Sequence, residues 1–237
     1  MLISSESRET IQMRRLAIVA HELRNPLAAA WCGLRLLGRT TSRAPEIDEM
    51  LPLIERQLGY IARIVDDLVD VASVASGKLT LQKERVDLGE LLHGAIHSCR
   101  HRIDAGGHEF AVSLLKEPIL VHVDPLRLTQ VFANLLDNAV KYSEPCGRIG
   151  VTVERWQDAA VAVVEDNGVG IRADMLPHIF DLFVQAGTPM AGNSRGLGVG
   201  LAVAKQIIEE HSGCIEADSA GIGFGSRFTV RIPLARI

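Results

Sequence analysis

VAVVEDNGVGI, residues 161–171, runs four apolar side chains into two acids, an asparagine and two spaced glycines. The apolar run predicts a buried strand, and the polar tail predicts the turn that ends it. Gly168, Gly170 and Ala173 stand in G-x-G-x-x-A order, the superficial form of a dinucleotide fingerprint. That fingerprint needs a helix opening at the glycines inside a βαβ unit, whereas here Pro177 and the aromatic pair Phe180 and Phe183 follow within a short segment. Asp166, beside a tight glycine turn, is better suited to accept a hydrogen bond from an exocyclic amine such as that of adenine. Taken alone, the stretch reads equally well as an Asp-Asn-Gly turn between strands.

Two further stretches bear on that choice. SRGLGVGLAVAKQIIEEH, 194–211, places Gly196, Gly198 and Gly200 directly before an amphipathic helix, where backbone N–H groups and the helix dipole can meet phosphate. QVFANLLDNAVKYS, 130–143, sets Asn134, Asn138 and Lys141 three and four apart on one helical face while Val131, Leu135 and Ala139 pack inward. Two amides and an ammonium can hold a metal and phosphates, although such a stripe in isolation is more often a solvated face. Around these stretches, short apolar runs at 109–115, 119–123, 148–156, 159–165, 213–218 and 226–232 predict strands, and 125–142 and 199–211 predict helices. Asp87 is the expected N-cap of another helix, running to about residue 102. Together they predict an α/β sandwich, a sheet with helices on one face.

The first third has a different period. Leu16, Val19, Leu23, Leu27, Ala30, Leu34 and Leu37 recur by threes and fours, as do Leu51, Ile54, Leu58, Ile61, Val65, Leu68 and Ala72. The pattern predicts a helical hairpin. A lone hairpin leaves much of such a stripe wet, so a homodimer forming a four-helix bundle is expected. Within it, AHELRNPLAA, 20–29, crowds a histidine, a glutamate, an arginine and an asparagine ahead of Pro26. An interior proline costs a helix roughly 3 kcal/mol relative to alanine, so something other than helix formation uses the spot.

The formal charge of -4, with no long basic run, argues against nucleic acid as a partner. Cys32, Cys99, Cys146 and Cys214 form no C-x-x-C pair and read as reduced cytosolic thiols. No signal core or membrane-length apolar run occurs, so no membrane contact by this chain is expected. His93, His97 and His101 recur every four residues, but without an acid to complete a metal set they read as an exposed helix face.

The chain resembles the transmitter core of a two-component sensor histidine kinase. HELRNPL at 21–27 is similar to the H box, NLLDNAVKY at 134–142 to the N box, DNGVGI at 166–171 to the G1 box, IFDLF at 179–183 to the F box and GLGVGL at 196–201 to the G2 box. The resemblance implies an α+β organisation: a dimerisation and histidine phosphotransfer domain over 1–76, a linker over 77–86 and an ATP-binding catalytic domain over 87–237. It implies ATP and Mg²⁺ as cofactors, a response regulator receiver domain as partner, and a cytoplasmic chain that can be part of a longer or membrane-tethered parent. His21 would accept the γ-phosphoryl group, with Glu22 orienting it or taking its proton, and Asn25 would position water in a phosphatase reaction. Asn138 and, secondarily, Asn134 would bind the metal, Lys141 the phosphates, and Tyr142 would pack near the base. Asp166 would read the adenine amine beside Gly168 and Gly170. Phe180, Phe183, Gly196, Leu197, Gly198 and Gly200 would bound the nucleotide, with a lid over about 172–195. The alternatives are a clamp-type ATPase of the same superfamily or a non-catalytic dimeric scaffold. The glutamate that activates water in clamp ATPases resembles the position of Asn134, and an amide cannot serve as that base.

Overall fold

The computed structural model describes residues 81–115, 117–185 and 197–235, together with helical positions 23, 26–34, 51, 54, 57–59, 61–62, 64–65 and 68. The chain forms two compact units, Met1–Ser73 and Val74–Ile237. Among the described residues no helix is long and apolar enough to cross a membrane.

In the N-terminal unit every described position is helical. Pro26, Ala30 and Gly33 lie on a buried line, as do Ile54 and Ile64. The two lines meet where Gly33 faces Ile54, so closely that a Cβ on Gly33 would stand 2.9 Å from Ile54 Cγ1. The expected single seam is therefore split. Leu27, Trp31 and Leu34, with Leu51, Leu58 and Val65, form a second apolar line that one chain leaves exposed.

The C-terminal unit starts with β1 (Glu84–Asp87) and α1 (Leu88–Ala105), followed by β2 (Glu109–Ser113), β3 (Leu120–Val123), α2 (Pro125–Tyr142), β4 (Arg148–Trp156) and β5 (Ala159–Asp166). A 3-10 turn at Leu176–His178, α3 (Gly200–Glu210), β6 (Cys214–Asp218) and β7 (Ser226–Pro233) complete it. The five-stranded sheet runs β2-β4-β5-β7-β6, with β2 parallel to β4 and the other pairs antiparallel. Strand alternation sorts its faces. Ile149, Val151, Val153, Ala160, Ala162, Val164, Phe228 and Val230 join the core with the helices, whereas Thr152, Glu154, Arg227 and Arg231 alternate with them along the same strands.

Both long helices begin where the sequence places a cap. Asp87 Oδ1 accepts from Gly89 N–H at 3.1 Å and from Ile119 N–H at 3.0 Å, which fixes the head of α1. Asp124 caps α2 by accepting from Arg127 N–H at 3.1 Å, and Pro125 occupies the first turn. Two expectations shift. The apolar run at 119–123 forms a strand, but it pairs antiparallel with β1 in a separate two-stranded sheet. Residues 84–86, assigned to the linker, are thereby β1 of the C-terminal unit, because Val86 faces Val121 in that ladder. The rest of the expected linker up to residue 80 lies outside the described residues.

Candidate functional site

Asp166 ends β5 on the core side of the sheet, two residues beyond Val164, with Ser226 directly opposite on β7. Its Oδ1 accepts from Gly168 N–H at 2.8 Å and its Oδ2 from the Ser226 hydroxyl at 2.6 Å. Burial pushes the carboxyl above the ordinary aspartate range, and the bonds from Ser226 and Gly168 oppose that rise. The result is a half-buried, partly desolvated acceptor held in one orientation, the property required to read a polar edge of a ligand.

The glycines bring this acceptor to the end of α2. Val169 N–H donates to Tyr142 O at 2.9 Å, and a Cβ on Gly168 would overlap that carbonyl. Gly170 has φ +70°, and a Cβ there would overlap Gly221 O. The loop from Ser219 to Ser226 clamps the turn from the other side. Ser219 Oγ accepts from Ile171 N–H at 3.0 Å and donates to Gly225 O at 2.6 Å, while Gly223 N–H donates to Val169 O at 2.8 Å. Sequence reasoning missed Ser219, Gly221, Gly223, Gly225 and Ser226. The available signal was their spacing, three glycines at alternate positions between two serines.

On α2, Asn134, Asn138, Lys141 and Tyr142 are all half-buried. Asn134 Nδ2 donates to Gly200 O at 3.3 Å and so joins α2 to the first residue of α3. Lys141 Nζ sits 5.0 Å from the centre of the Tyr142 ring. Among the described residues the start of α3, with Val199 at its N-cap position, has no side-chain cap, and such a helix start suits an anion. Ahead of it, Phe183 N–H donates to Gly198 O at 2.8 Å, and Gly198 has φ +71° with Val184 O where a Cβ would point. Phe180 stacks edge-on against Phe228 with centroids 6.5 Å apart, and Lys205 Nζ lies 5.7 Å from the Phe180 ring centre. Leu197 is fully buried.

Tyr142, Asp166, Gly168 and Gly170 are thus brought together at one end of α2, Asn134 meets Gly200, and Phe183 meets Gly198. Phe180 and Leu197 serve packing in this conformation. His21, Glu22, Asn25, Gly196 and residues 186–195 of the expected lid lie outside the described residues. The amide oxygens of Asn134 and Asn138 are hard donors of the kind magnesium takes, one or two protein ligands being usual beside phosphate and water. His93, His97 and His101 are exposed, and among the described residues no three His, Cys, Asp or Glu side chains are grouped to hold a metal. A cleft of about 600 Å³ lined by Glu109, Gly150, Glu165, Phe224 and Arg227 adjoins this constellation, sharing Asp166, Ser219, Gly225 and Ser226 with it.

Residues 12–77 match the family of the His Kinase A (phospho-acceptor) domain, and residues 123–236 match the histidine kinase-, DNA gyrase B- and HSP90-like ATPase family. The circadian input-output histidine kinase CikA of Synechococcus elongatus is 34% identical over 230 residues, covering 92% of this chain and 29% of that protein. The sensor histidine kinase RcsC of Escherichia coli is 33% identical over 222 residues, covering 92% of this chain and 23% of that protein. The chain therefore spans less than a third of the length of these two relatives. Among solved structures, the Acinetobacter baumannii histidine kinase AdeS is similar with a TM-score of 0.68 and 26% identity, covering 91% of this chain and 98% of that one. Full-length ShkA in complex with AMPPNP gives a TM-score of 0.70 and 26% identity, covering 94% of this chain and 46% of that one.

Proposed function

Because the chain belongs to the two-component sensor histidine kinases, as a transmitter core with a phospho-acceptor module ahead of an ATPase module, we propose that it phosphorylates His21 from ATP. The phosphoryl group then passes to an aspartate on the receiver domain of a response regulator. The observation that carries this reading is Asp166, half-buried, pinned by Gly168 and Ser226, and set by the Gly168 approach beside Tyr142. It accepts from the exocyclic amine of adenine, which fixes one end of the nucleotide. Lys141, whose Nζ lies 5.0 Å from the Tyr142 ring, and the start of α3 receive the phosphates. Mg²⁺, held by Asn138 and secondarily Asn134, would neutralise charge on the phosphates when bound. His21 in its neutral form offers a nucleophilic ring nitrogen, and Glu22 orients the ring or takes its proton. Asn134 stands where a water-activating carboxylate would be needed for clamp-type hydrolysis, and its amide is engaged with Gly200 O instead. The kinase works in the cytoplasm as a homodimer, and the exposed apolar line of the hairpin supports the dimer.

The test is incubation of the chain with γ-labelled ATP and Mg²⁺. The expected product carries label that is lost in acid and kept in alkali, and His21→Ala abolishes it. Label of that type on His21→Ala would overturn the assignment of the acceptor.

A further inference from the structure

Immediately before β1, Gln82 and Lys83 are fastened to the far ends of the two helices that hold the site. Gln82 N–H donates to Asp124 Oδ2 at 2.9 Å, and Lys83 Nζ donates to Glu210 O at 2.6 Å. Asp124 is the N-cap of α2, whose site residues lie in its second half, and Glu210 is the last residue of α3, whose first residue is Gly200. Thus α2 meets the arriving chain at its N-terminus and the site with its C-terminal half, while α3 meets the site at its N-terminus and the arriving chain at its C-terminus.

His211 ties the two fastenings together. The residue is 4% exposed, its Nε2 lies 2.8 Å from Asp124 N and its Nδ1 lies 2.7 Å from Ile207 O. A backbone N–H only donates and a carbonyl only accepts, so the ring is neutral and carries its single proton on Nδ1. Adding a proton at Nε2 would set two donors against each other and leave Asp124 N–H without its buried acceptor. The charged groups facing the ring are Lys83 from the arriving chain, Asp124 from the head of α2 and Glu210 from α3. Burial, the largest influence, holds the imidazole below its ordinary range. Lys83 acts in the same direction, and the two carboxylates oppose it.

We propose that Gln82, Lys83, Asp124 and His211 form a proton-sensitive clasp, closed while His211 is neutral and released when the ring is protonated, which frees the arriving chain from the head of α2 and the C-terminal end of α3. The clasp needs no nucleotide, so it stands or falls separately from the kinase reading. Amide hydrogen exchange on the full chain, corrected for intrinsic rates, reports it at Gln82 and Asp124. Between about pH 7.5 and about pH 4.5, protection of both amides in the wild type should fall at least about tenfold. In His211→Gln the carbonyl can accept from Asp124 N–H and the amide can donate to Ile207 O without titrating, so protection should hold. Equal acid losses in the two proteins would overturn the clasp. So would a ring nitrogen spectrum of the wild type at neutral pH with the proton on Nε2. Lys83→Met should lower Gln82 protection already at neutral pH, and unchanged protection there would count equally against it.

Discussion

Asp166 owes its place to the two-residue period of β5, which carries it to the core face one step past Val164, where its burial makes each hydrogen bond matter more than at the surface. Losing a buried hydrogen bond to one base costs on the order of 1 to 3 kcal/mol, so Asp166→Ala should weaken ATP by about tenfold or more in calorimetry. Unchanged affinity would remove its adenine role. The same burial fixes a sign with pH. The carboxyl titrates above the ordinary 3.8, so reading by its charged form should fade on acidification sooner than an exposed aspartate would allow. An acid after an apolar run is visible in sequence, and Asp166 was legible for that reason. Ser226 was not, because only the fold brings a residue 60 positions away into contact with it. Asn25 stands four residues after His21 in the sequence, and its proposed role is to hold water for hydrolysis of the phosphorylated regulator. Asn25→Ala should keep labelling of His21 and lose most phosphatase activity. Decay of phosphorylated regulator at equal rates with wild type and variant, in the presence of ADP, would leave Asn25 without that role.

α2 was readable because an apolar line at helical spacing, with Val131, Leu135 and Ala139 inward, runs through 125–142, and the Asp124 cap and Pro125 agree with that start. The partner of β3 was not readable, since short apolar runs state that a strand exists and not which edge it joins. The cap is also a junction. Asp124 serves Arg127 N–H, Gln82 N–H and, through its own N–H, His211. Removing an N-cap costs about 0.5 to 2 kcal/mol, and Asp124→Ala should reach the upper end of that range in denaturant unfolding because Gln82 N–H loses its acceptor as well. A loss well under 1 kcal/mol would mean that water replaces the carboxylate at little cost. Acid should act on this junction in two windows. Burial lowers His211 from 6.5, so below that pH the unfolded chain takes up a proton that the folded ring refuses, and stability falls. For Asp124, burial acts to raise the carboxyl, but the N–H groups of Gln82, Arg127 and Leu126 outweigh it and lower the carboxyl from 3.8; its contribution is lost only as pH falls below that value.

At the scale of the whole molecule, the hairpin is the part that the chain leaves unfinished. Gly33 meets Ile54 inside one chain, Ala30 and Ile64 are buried along the same lines, and a larger residue at Gly33 would have to displace the Ile54 side chain. The parallel line keeps Leu27 60% and Trp31 64% exposed, with Leu34, Leu51, Leu58 and Val65 beside it in the same apolar character. A monomer would keep such a continuous stripe in water, whereas a second hairpin would bury it at roughly 1.5 to 3 kcal/mol for each large side chain fully covered. The heptad spacing of 51, 58 and 65 suits that partner, because it repeats along one side of a helix at the period of a bundle seam. This also explains what the sequence could not resolve: both lines are apolar at threes and fours, and only contact geometry separates the seam within a chain from the seam between chains. Replacing Trp31 and Leu58 by lysine places charge on the outer line while leaving Ala30, Gly33 and Ile54 intact. The double variant should sediment as a monomer at concentrations where the wild type is a dimer, and its ATP affinity should stay within about twofold because no residue of the nucleotide constellation has changed. A wild type that sediments as a monomer, or a double variant that remains dimeric, would show that the outer line is not the seam between chains.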